Sequence, residues 1–326
     1  MNWDISKKNL KFLFAGFLLV MPFWWAMNVF ADNLEGFYFY RLAGNDSEIW
    51  TAQLNGIILR GQVMKQQKKI DNLQISAKSA ISVELDKNGA ENILYEKNFQ
   101  ERLPIASITK LMTALVVFDL NETYSPSQMI TVSNEAIGQE GSLQYGVLLA
   151  GEKLSVENLL NMMLIESSND AAYALAESIS KDAFVDIMNY YAKDLGLLDT
   201  KFFNPTGLDE TEQGKESNFS TAEDLSRLAE YIIKNYPQIF AITAKKNYEV
   251  SNPDGSLRYF IPQNTDELLG EVPGILGGKT GSTILAKKCL LLVLDGKEKG
   301  GYIINVVLGS DDRFGDMRKI IEAVKD

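Results

Sequence analysis

Hydrophobic residues change their spacing along the chain, and each spacing predicts a different kind of element. Residues 12–31 form one apolar run without a charged residue. Short β-like runs at 80–85 and 92–95 flank the sequence Lys-Asn-Gly at 87–89, which predicts a hairpin turn. After Pro104 the apolar residues recur three and four positions apart, which predicts a helix with one apolar stripe.

The middle of the chain is predicted to be helical, and its end returns to strands. Strand patterns occupy 289–294 and 302–308, and a last helix is predicted at 313–324. Strands on both sides of a helical middle predict an α/β domain whose sheet is completed by chain-distant strands, with an all-helical insertion. The helices predicted for the middle are 156–164, 169–177, 182–195 and 222–234.

The apolar run at 12–31 is long enough to cross a membrane, since twenty residues rising about 1.5 Å each span a bilayer core of about 30 Å. Three lysines precede the run and Asp32 follows it, so the positive-inside rule predicts an N-terminal transmembrane helix with an extracytoplasmic remainder. The sequence Val-Phe-Ala at 29–31 also suits signal-peptidase cleavage. We favour an uncleaved anchor, because the run exceeds the usual length of a signal peptide's apolar core.

The exported remainder divides into two predicted parts. Residues 32–75 show no sustained period and are predicted to be a linker or ancillary segment. Residues 76–326 carry the strand and helix patterns, so they are predicted to form the functional domain, after a stub and anchor at 1–31.

Composition narrows the possible chemistry. The 326 residues are 46% hydrophobic and 23% charged, which is typical of a folded globular chain. With 32 Lys and Arg against 43 Asp and Glu, the net charge of −11 argues against binding to nucleic acid. Histidine is absent, which excludes Ser-His-Asp triads and histidine-liganded metals. The single cysteine, Cys289, excludes an internal disulfide, and the apolar run after it predicts a buried, unreactive thiol.

One short motif can supply a serine nucleophile without histidine. In the sequence Ser-Ile-Thr-Lys, Ser107 and Lys110 share a helix face, because residues three positions apart are neighbours on a helix. Taken alone, this motif has an equally good structural explanation, in which Ser107 caps the helix and Lys110 is an exposed charge in its first turn. The spacing recurs at Ser178 and Lys181, so one of the two matches is accidental.

Two further motifs follow in the chain. The first is Ser-Ser-Asn at 167–169, which lies at the boundary between two predicted helices. Capping of the second helix by a serine or asparagine side chain is the alternative explanation for this motif. The sequence Lys-Thr-Gly-Ser at 279–282 follows two glycines in a strand-like context, where glycine allows a ligand close to the backbone.

Together and in this order, the three motifs resemble those of the penicillin-binding proteins and serine β-lactamases, most closely the low-molecular-mass D-alanyl-D-alanine carboxypeptidases. The similarity extends over about residues 77–322 and includes 95–98, 104–115, 204–209 and 220–225. It implies the β-lactamase/transpeptidase-like fold, in which helices and an all-helical subdomain flank an antiparallel sheet. It also implies a peptidoglycan stem peptide ending in D-Ala-D-Ala as substrate, β-lactams as covalent inhibitors, and neither a metal nor an organic cofactor.

The resemblance assigns catalytic roles to three residues. Ser107 is the expected nucleophile and Lys110 its base, which requires that burial and a nearby cation favour the neutral amine. Ser167 is expected to relay a proton to the leaving amine. The oxyanion is expected between the N–H groups of Ser107 and Ser282.

Five residues are expected to bind substrate. Asn169 would hold the substrate amide and help to position the base. Lys279, Thr280 and Ser282 would receive the terminal carboxylate, which needs cationic and hydroxyl donors. Gly281 would keep the strand open for the substrate backbone.

The predicted function is a serine-type D-Ala-D-Ala carboxypeptidase at the outer side of a bacterial membrane, held by residues 12–31, or secreted if that segment is cleaved. A β-lactamase is the main enzymatic rival. A β-lactamase needs fast deacylation, commonly through a glutamate on a loop after the second motif. Asp209 and the glutamates at 210 and 212 lie in roughly the right region, but no glutamate there is followed by an asparagine four residues later. An endopeptidase or transpeptidase would carry the same motifs, and an inactive wall-binding protein is the alternative of another class. Some relatives have an Arg before paired leucines, whereas residues 264–269 contain none.

Overall fold

The computed structural model describes residues 72–139, 148–209 and 216–325, together with positions 58 and 70. Nearly all of them belong to the second of two compact units, Gln66–Asp326. The predicted membrane run at 12–31 and most of the predicted linker at 32–75 lie outside the described residues. Among the residues described, no helix is both long and apolar enough to cross a bilayer.

The helices of the described chain lie mostly where the apolar spacing predicts them. Short 3-10 turns precede the first of them, at Ala106–Thr109, and also occur at Ala136–Gly138. The α-helices are α1 (Lys110–Asp119), α2 (Val156–Ile165), α3 (Asn169–Glu177), α4 (Lys181–Asp194), α5 (Ala222–Asn235), α6 (Pro237–Thr243) and α7 (Arg313–Lys325).

The strands of the described chain form one large sheet and three two-stranded pairs. They are β1 (Ser79–Leu85), β2 (Glu91–Lys97), β3 (Leu103–Pro104), β4 (Met129–Thr131), β5 (Lys153–Ser155), β6 (Phe219–Ser220), β7 (Tyr248–Ser251), β8 (Leu257–Ile261), β9 (Ile275–Thr283), β10 (Lys287–Asp295) and β11 (Tyr302–Ser310).

The large sheet has the order β2-β1-β11-β10-β9, and its pairs are all antiparallel. The first strand pairs with the last, with Ala80 opposite Val307 and Ser82 opposite Asn305. This pairing confirms the predicted sheet of chain-distant strands around a helical insertion. It also leaves β9 as an edge strand.

Both faces of the sheet are covered, which explains the unbroken apolar run in β10. Leu290 and Leu292 belong to the core that includes Met317 of α7. The alternate residues Leu291 and Val293 belong to the core of the other face, where α5 and α6 pack and the helical insertion begins. Because successive side chains of a strand point to opposite faces, a strand buried on both sides has apolar residues at almost every position.

Helix α1 is the centre of the helical insertion. Its residues from Lys110 to Val117 are all buried, and α2, α3, α4 and α6 pack around it. The predicted single apolar stripe is therefore too narrow, because a helix enclosed on every side is apolar around its circumference. Its first residue is a buried lysine, which brings a polar group into the core where the insertion meets the sheet.

Candidate active site

The three motifs meet at the boundary between the sheet edge and the helical insertion. Ser107 lies in the 3-10 turn that leads into α1, and Lys110 begins α1. Ser167 lies in the turn between α2 and α3, and Asn169 begins α3. The third motif, at 279–282, belongs to β9. Segments far apart in the chain thus contribute to one place.

The Lys110 amine is fixed against the Ser107 hydroxyl. Its Nζ lies 2.9 Å from Ser107 Oγ and donates hydrogen bonds to Asn169 Oδ1 at 2.6 Å and to the Thr206 carbonyl at 2.8 Å. The side chain is fully buried. Burial disfavours the charged form of an amine, while these oxygens hold its nitrogen in hydrogen-bond reach of the serine.

The backbone around the two serines is unusual. Ala106, which precedes the nucleophile candidate, has φ +48°, and Ser167 has φ +70°. Residues other than glycine rarely adopt this left-handed region, and such residues concentrate at active sites. The helix-cap explanation applies instead to Ser168, whose hydroxyl accepts a hydrogen bond from the N–H of Ala171 at 3.2 Å. Ser167 and Asn169 are therefore not needed as caps.

Two glycines allow the segments at 207 and 281 to pack directly against the backbone of Ala106 and Ser107. Gly207 has φ +84°, and a Cβ there would overlap the carbonyl of Ala106. A Cβ on Gly281 would lie 3.1 Å from the backbone nitrogen of Ser107. Glycine at these positions permits close approach of one backbone to another.

Lys279 lies beneath the second serine. Its Nζ donates hydrogen bonds to Ser167 Oγ at 2.9 Å and to the Thr280 carbonyl at 3.1 Å. Burial lowers the pKa of Lys279 well below its ordinary value, and the neighbouring charges of Lys110 and Arg313 lower it further. Each of the two serines thus has the amine of a buried lysine within hydrogen-bond distance.

A cleft of about 160 Å³ opens above these groups. The residues that line it are Ser107, Ser167, Asn169, Thr265, Thr280, Gly281, Ser282 and Arg313. Six of them are predicted site residues, and the remaining two predicted residues, the lysines, are buried below Ser107 and Ser167. A larger cavity of about 630 Å³ runs along β2, at the opposite edge of the sheet, and contains none of the motif residues.

Two of the lining residues, Thr265 and Arg313, are not among the residues predicted from the sequence. Thr265 Oγ1 lies 2.6 Å from Thr280 Oγ1, and Arg313 donates a hydrogen bond from Nη1 to the Gly281 carbonyl at 2.9 Å. Thr265 belongs to the segment 264–269 that lacks the expected arginine. Arg313, the first residue of α7, places a guanidinium at the cleft. The sequence around it shows only the start of a predicted helix, so no local pattern identifies it as a site residue.

Three other residues considered from the sequence, Ser178, Asp209 and Cys289, have structural contacts outside the cleft lining. Ser178 donates from Oγ to the Leu175 carbonyl at 2.8 Å, at the end of α3. Asp209 accepts hydrogen bonds on both oxygens, from Thr283 Oγ1 at 2.7 Å and the Leu285 N–H at 2.9 Å. Cys289 is buried as predicted, and burial raises the pKa of its thiol to about 11, which keeps it in the unreactive form.

Comparison with known proteins agrees with this geometry. The family profile of D-alanyl-D-alanine carboxypeptidase matches residues 63–312. The D-alanyl-D-alanine carboxypeptidase DacF of Bacillus subtilis is 36% identical over 262 residues, which cover 78% of this chain and 64% of that protein. A D-alanyl-D-alanine endopeptidase of Pseudomonas aeruginosa is 34% identical over 68% of each chain.

A solved structure shares the fold. Penicillin-binding protein D2 of Listeria monocytogenes in its ampicillin-bound form matches with a TM-score of 0.64 and 32% identity, over 78% of this chain and all of that one. The chain spans less than two thirds of the length of the Bacillus relative. The family profile, the identity to curated members and the shared fold nevertheless agree, and the chain belongs to the D-alanyl-D-alanine carboxypeptidase family.

Proposed function

We propose that the chain is a serine-type D-alanyl-D-alanine carboxypeptidase that removes the terminal D-Ala from peptidoglycan stem peptides. The observation that carries this proposal is the separation of 2.9 Å between the buried Lys110 Nζ and Ser107 Oγ, at the base of a cleft beside an edge strand. A chain without histidine needs another base for a serine nucleophile, and a buried lysine in hydrogen-bond reach is such a base.

In the proposed acylation step, neutral Lys110 takes the proton of Ser107 Oγ as that oxygen bonds to the carbonyl carbon between the two D-alanines. The tetrahedral oxyanion is stabilised by the backbone N–H groups of Ser107 and Ser282, each worth about 3 kcal/mol in such sites. The C–N bond then breaks, and Ser167 relays the proton held by Lys110 to the departing D-Ala amine, so that Lys110 is neutral again. Water hydrolyses the remaining ester and regenerates the serine.

The terminal carboxylate of the substrate requires cationic and hydroxyl donors. We assign it to the end of the cleft formed by Thr280 and Arg313, with the buried amine of Lys279 beside Ser167. A guanidinium pairs well with a carboxylate because it presents several N–H groups in one plane. Arg313 thereby takes over the role for which the segment 264–269 has no arginine.

Slow hydrolysis of the acyl-enzyme distinguishes the proposal from a β-lactamase. A β-lactamase would need a deacylating carboxylate near residues 209–212, and of these residues the structure describes Asp209. Both oxygens of Asp209 accept hydrogen bonds from Thr283 and Leu285 at the β9–β10 turn. Asp209 is held against that turn and is not among the residues that line the cleft. We therefore expect β-lactams to acylate Ser107 and to be released slowly. Endopeptidase activity stays the second candidate, because two relatives carry that name.

The proposal also covers the organisation of the chain. We propose that residues 76–326 form the catalytic domain, that 32–75 are a linker or ancillary segment, and that 12–31 anchor the enzyme in the bacterial membrane with the catalytic domain outside. The three lysines before the apolar run and the acidic residues after it support this orientation.

Mass spectrometry of a model peptide tests the proposed activity. The full chain in detergent is incubated with diacetyl-Lys-D-Ala-D-Ala, and we expect loss of one D-Ala. Ser178→Ala serves as the matched control, because it removes a serine with the same spacing to a lysine but outside the cleft lining. An unchanged peptide together with rapid penicillin hydrolysis would favour the β-lactamase instead.

A further inference from the structure

The serine of the second motif directly follows a buried carboxylate. Glu166 lies between the end of α2 at Ile165 and Ser167, and it is only 3% exposed. A glutamate is rarely buried to this extent unless polar groups surround it. No step of the proposed mechanism uses this carboxylate, so its burial beside Ser167 depends on what it contacts.

The carboxylate contacts a hairpin that is distant in the chain. Tyr259 of β8 donates a hydrogen bond from Oη to Glu166 Oε2 at 3.0 Å. The same hairpin also contacts the beginning of α2, where Tyr248 donates from Oη to Asn158 Oδ1 at 3.1 Å and Asn158 Nδ2 donates to the Ser251 carbonyl at 2.9 Å. The β7–β8 hairpin is therefore bound to both ends of α2.

The turn that contains Ser167 needs support from its surroundings. Its φ of +70° lies in the left-handed region, which residues other than glycine keep only when neighbouring contacts impose it. One such contact is the hydrogen bond from the Thr265 N–H to the Ile165 carbonyl at 3.1 Å. The bond between Glu166 and Tyr259 adds a side-chain contact at the residue immediately before the serine.

The position of the Ser167 hydroxyl matters for one step of the proposed acylation. When the C–N bond breaks, this hydroxyl relays a proton to the departing amine, which requires that the two groups lie within hydrogen-bond reach. The Lys279 amine donates to Ser167 Oγ at 2.9 Å and ties the hydroxyl to β9. The backbone that carries the hydroxyl is tied to the β7–β8 hairpin through Glu166.

We propose that Glu166 and Tyr259 are positioning residues, which hold the Ser167 turn where its hydroxyl meets the leaving amine. The phenol of Tyr259 holds the carboxylate, the carboxylate fixes the residue before the serine, and the serine acts on the substrate. Neither positioning residue is among those that line the cleft. This inference rests on the proposed function and adds two residues to it.

Two substrates that differ in one group test this role. In diacetyl-Lys-D-Ala-D-thiolactate, sulfur replaces the nitrogen of the bond that is cleaved in diacetyl-Lys-D-Ala-D-Ala. An amine must gain a proton as it leaves, whereas a thiol, with a pKa of about 8.5 in cysteine, leaves as a thiolate without one. A residue that positions the proton relay therefore matters for the peptide alone, while a residue that only stabilises the fold affects both substrates equally.

The variant Tyr259→Phe removes only the hydroxyl that holds the carboxylate. Its kcat/KM is expected to fall about tenfold with the peptide and less than about twofold with the thioester, because a displaced proton-transfer group costs up to about 10²-fold. Ser167→Ala is the reference and should show the same selectivity, with a loss of about 10²-fold for the peptide. The full chain in detergent is used, and mass spectrometry measures release of D-Ala and of thiolactate.

The matched control removes a phenol from the same hairpin. Tyr248→Phe loses the hydrogen bond to Asn158 at the other end of α2 and should keep both rates unchanged. Glu166→Gln keeps an acceptor for Tyr259 and should retain the peptide rate within about twofold, whereas Glu166→Leu should lose at least as much as Tyr259→Phe. Adding Tyr259→Phe to Glu166→Leu should cause no further loss, since both residues act through one contact.

The outcomes separate the positioning role from the proposed function. If the unmodified chain releases D-Ala and Tyr259→Phe leaves both rates unchanged or lowers them equally, the positioning role alone is overturned. Equal losses with the two substrates in Ser167→Ala would show that Ser167 relays no proton, and the positioning role is again overturned. Absence of D-Ala release by the unmodified chain overturns the proposed function, and the positioning role with it.

Discussion

The chain contains the same Ser-x-x-Lys spacing at two places with opposite outcomes. At Ser107 the lysine is fully buried, and its Nζ lies 2.9 Å from the serine hydroxyl. At Ser178 the hydroxyl donates to the Leu175 carbonyl and to Tyr124 Oη, while the Lys181 side chain is 41% exposed and lies 3.8 Å from Asp182. The two serines thus share the same spacing to a lysine, but only at Ser107 is that lysine buried beside the hydroxyl.

The difference arises from segments that are distant in the chain. The partners of Lys110 come from Asn169 and Thr206, which lie on α3 and on the loop before β6. Ser178 hydrogen-bonds to Leu175 of its own helix and to Tyr124, and Lys181 faces water. A serine becomes a nucleophile when a base is buried beside it, and local spacing alone does not bring that about.

Removal of the hydroxyl is expected to have opposite outcomes at the two serines, and the effect at Ser107 is the largest that we expect. Ser107→Ala is expected to abolish covalent labelling by a fluorescent penicillin, because no oxygen is left to form the ester. Ser178→Ala is expected to label at the unmodified rate. Gel fluorescence after a fixed labelling time measures both, and retained labelling of Ser107→Ala would show that the nucleophile is another residue.

Replacing the lysines tests whether the active one is a base. Lys110→Arg keeps a positive charge but loses the base, because a guanidinium is not deprotonated in proteins, so acylation should slow about 10³-fold. Lys181→Arg should react at the unmodified rate. Stopped-flow measurement with nitrocefin gives both rates, and a slowing of less than tenfold in Lys110→Arg would remove Lys110 from its role.

The enclosure of the nucleophile turn predicts a smaller but distinct effect. Gly207 and Gly151 share φ +84°, but only a Cβ at Gly207 would meet other atoms. Gly151→Ala should cost about 1–2 kcal/mol of unfolding free energy, the cost of a left-handed alanine. Gly207→Ala should cost more and also slow acylation, because Ala106 and Ser107 must move.

Urea unfolding and penicillin labelling of the two glycine variants provide the measurement. Equal losses of stability, with acylation unchanged in both, would show that the close contact at Ala106 has no role in positioning the serine.

The buried carboxylate of Asp266 predicts the smallest effect on catalysis and a clear dependence on pH. Burial raises its pKa from 3.8 to about 6, against the lowering effect of Arg313 and Lys279 and with a small raising effect of Glu267. The folded protein therefore holds this proton more tightly than the unfolded chain does. Ionisation of Asp266 opposes folding fully above pH 6, and this opposition disappears as the pH falls to 3.8.

Asp266→Asn removes that titration. The variant should be more stable than the unmodified chain at pH 8 by up to about 3 kcal/mol, and the gap should close near pH 3.8. Penicillin acylation at pH 8 should change only a few-fold, since the substituted carboxylate contacts neither serine. Urea unfolding at pH 8 and at pH 4 is the test, and a gap that widens toward pH 4 would contradict the assigned pKa.

Much of the fold follows from local pattern. The predicted helix at 169–177 is observed with the same bounds, and the predicted strands at 80–85 and 302–308 lie within β1 and β11. The β7–β8 hairpin and α6 were not predicted. The hairpin strands are only partly buried and mix polar with apolar residues, so they lack a clear period of two. Helix α6 has seven residues, too few for a helical period to be apparent.

Composition and motif order limit the chemistry that is available to the chain. With no histidine and one cysteine, the three motifs predict a serine nucleophile with a lysine base. The folded arrangement of the chain determines which of the two equally spaced serines lies beside a buried lysine, and which arginine lines the cleft. Burial of an amine and its hydrogen bonds depend on segments far apart in the chain, as in the Lys110–Asn169 and Lys279–Ser167 hydrogen bonds. The spacing of residues within one motif does not encode these contacts.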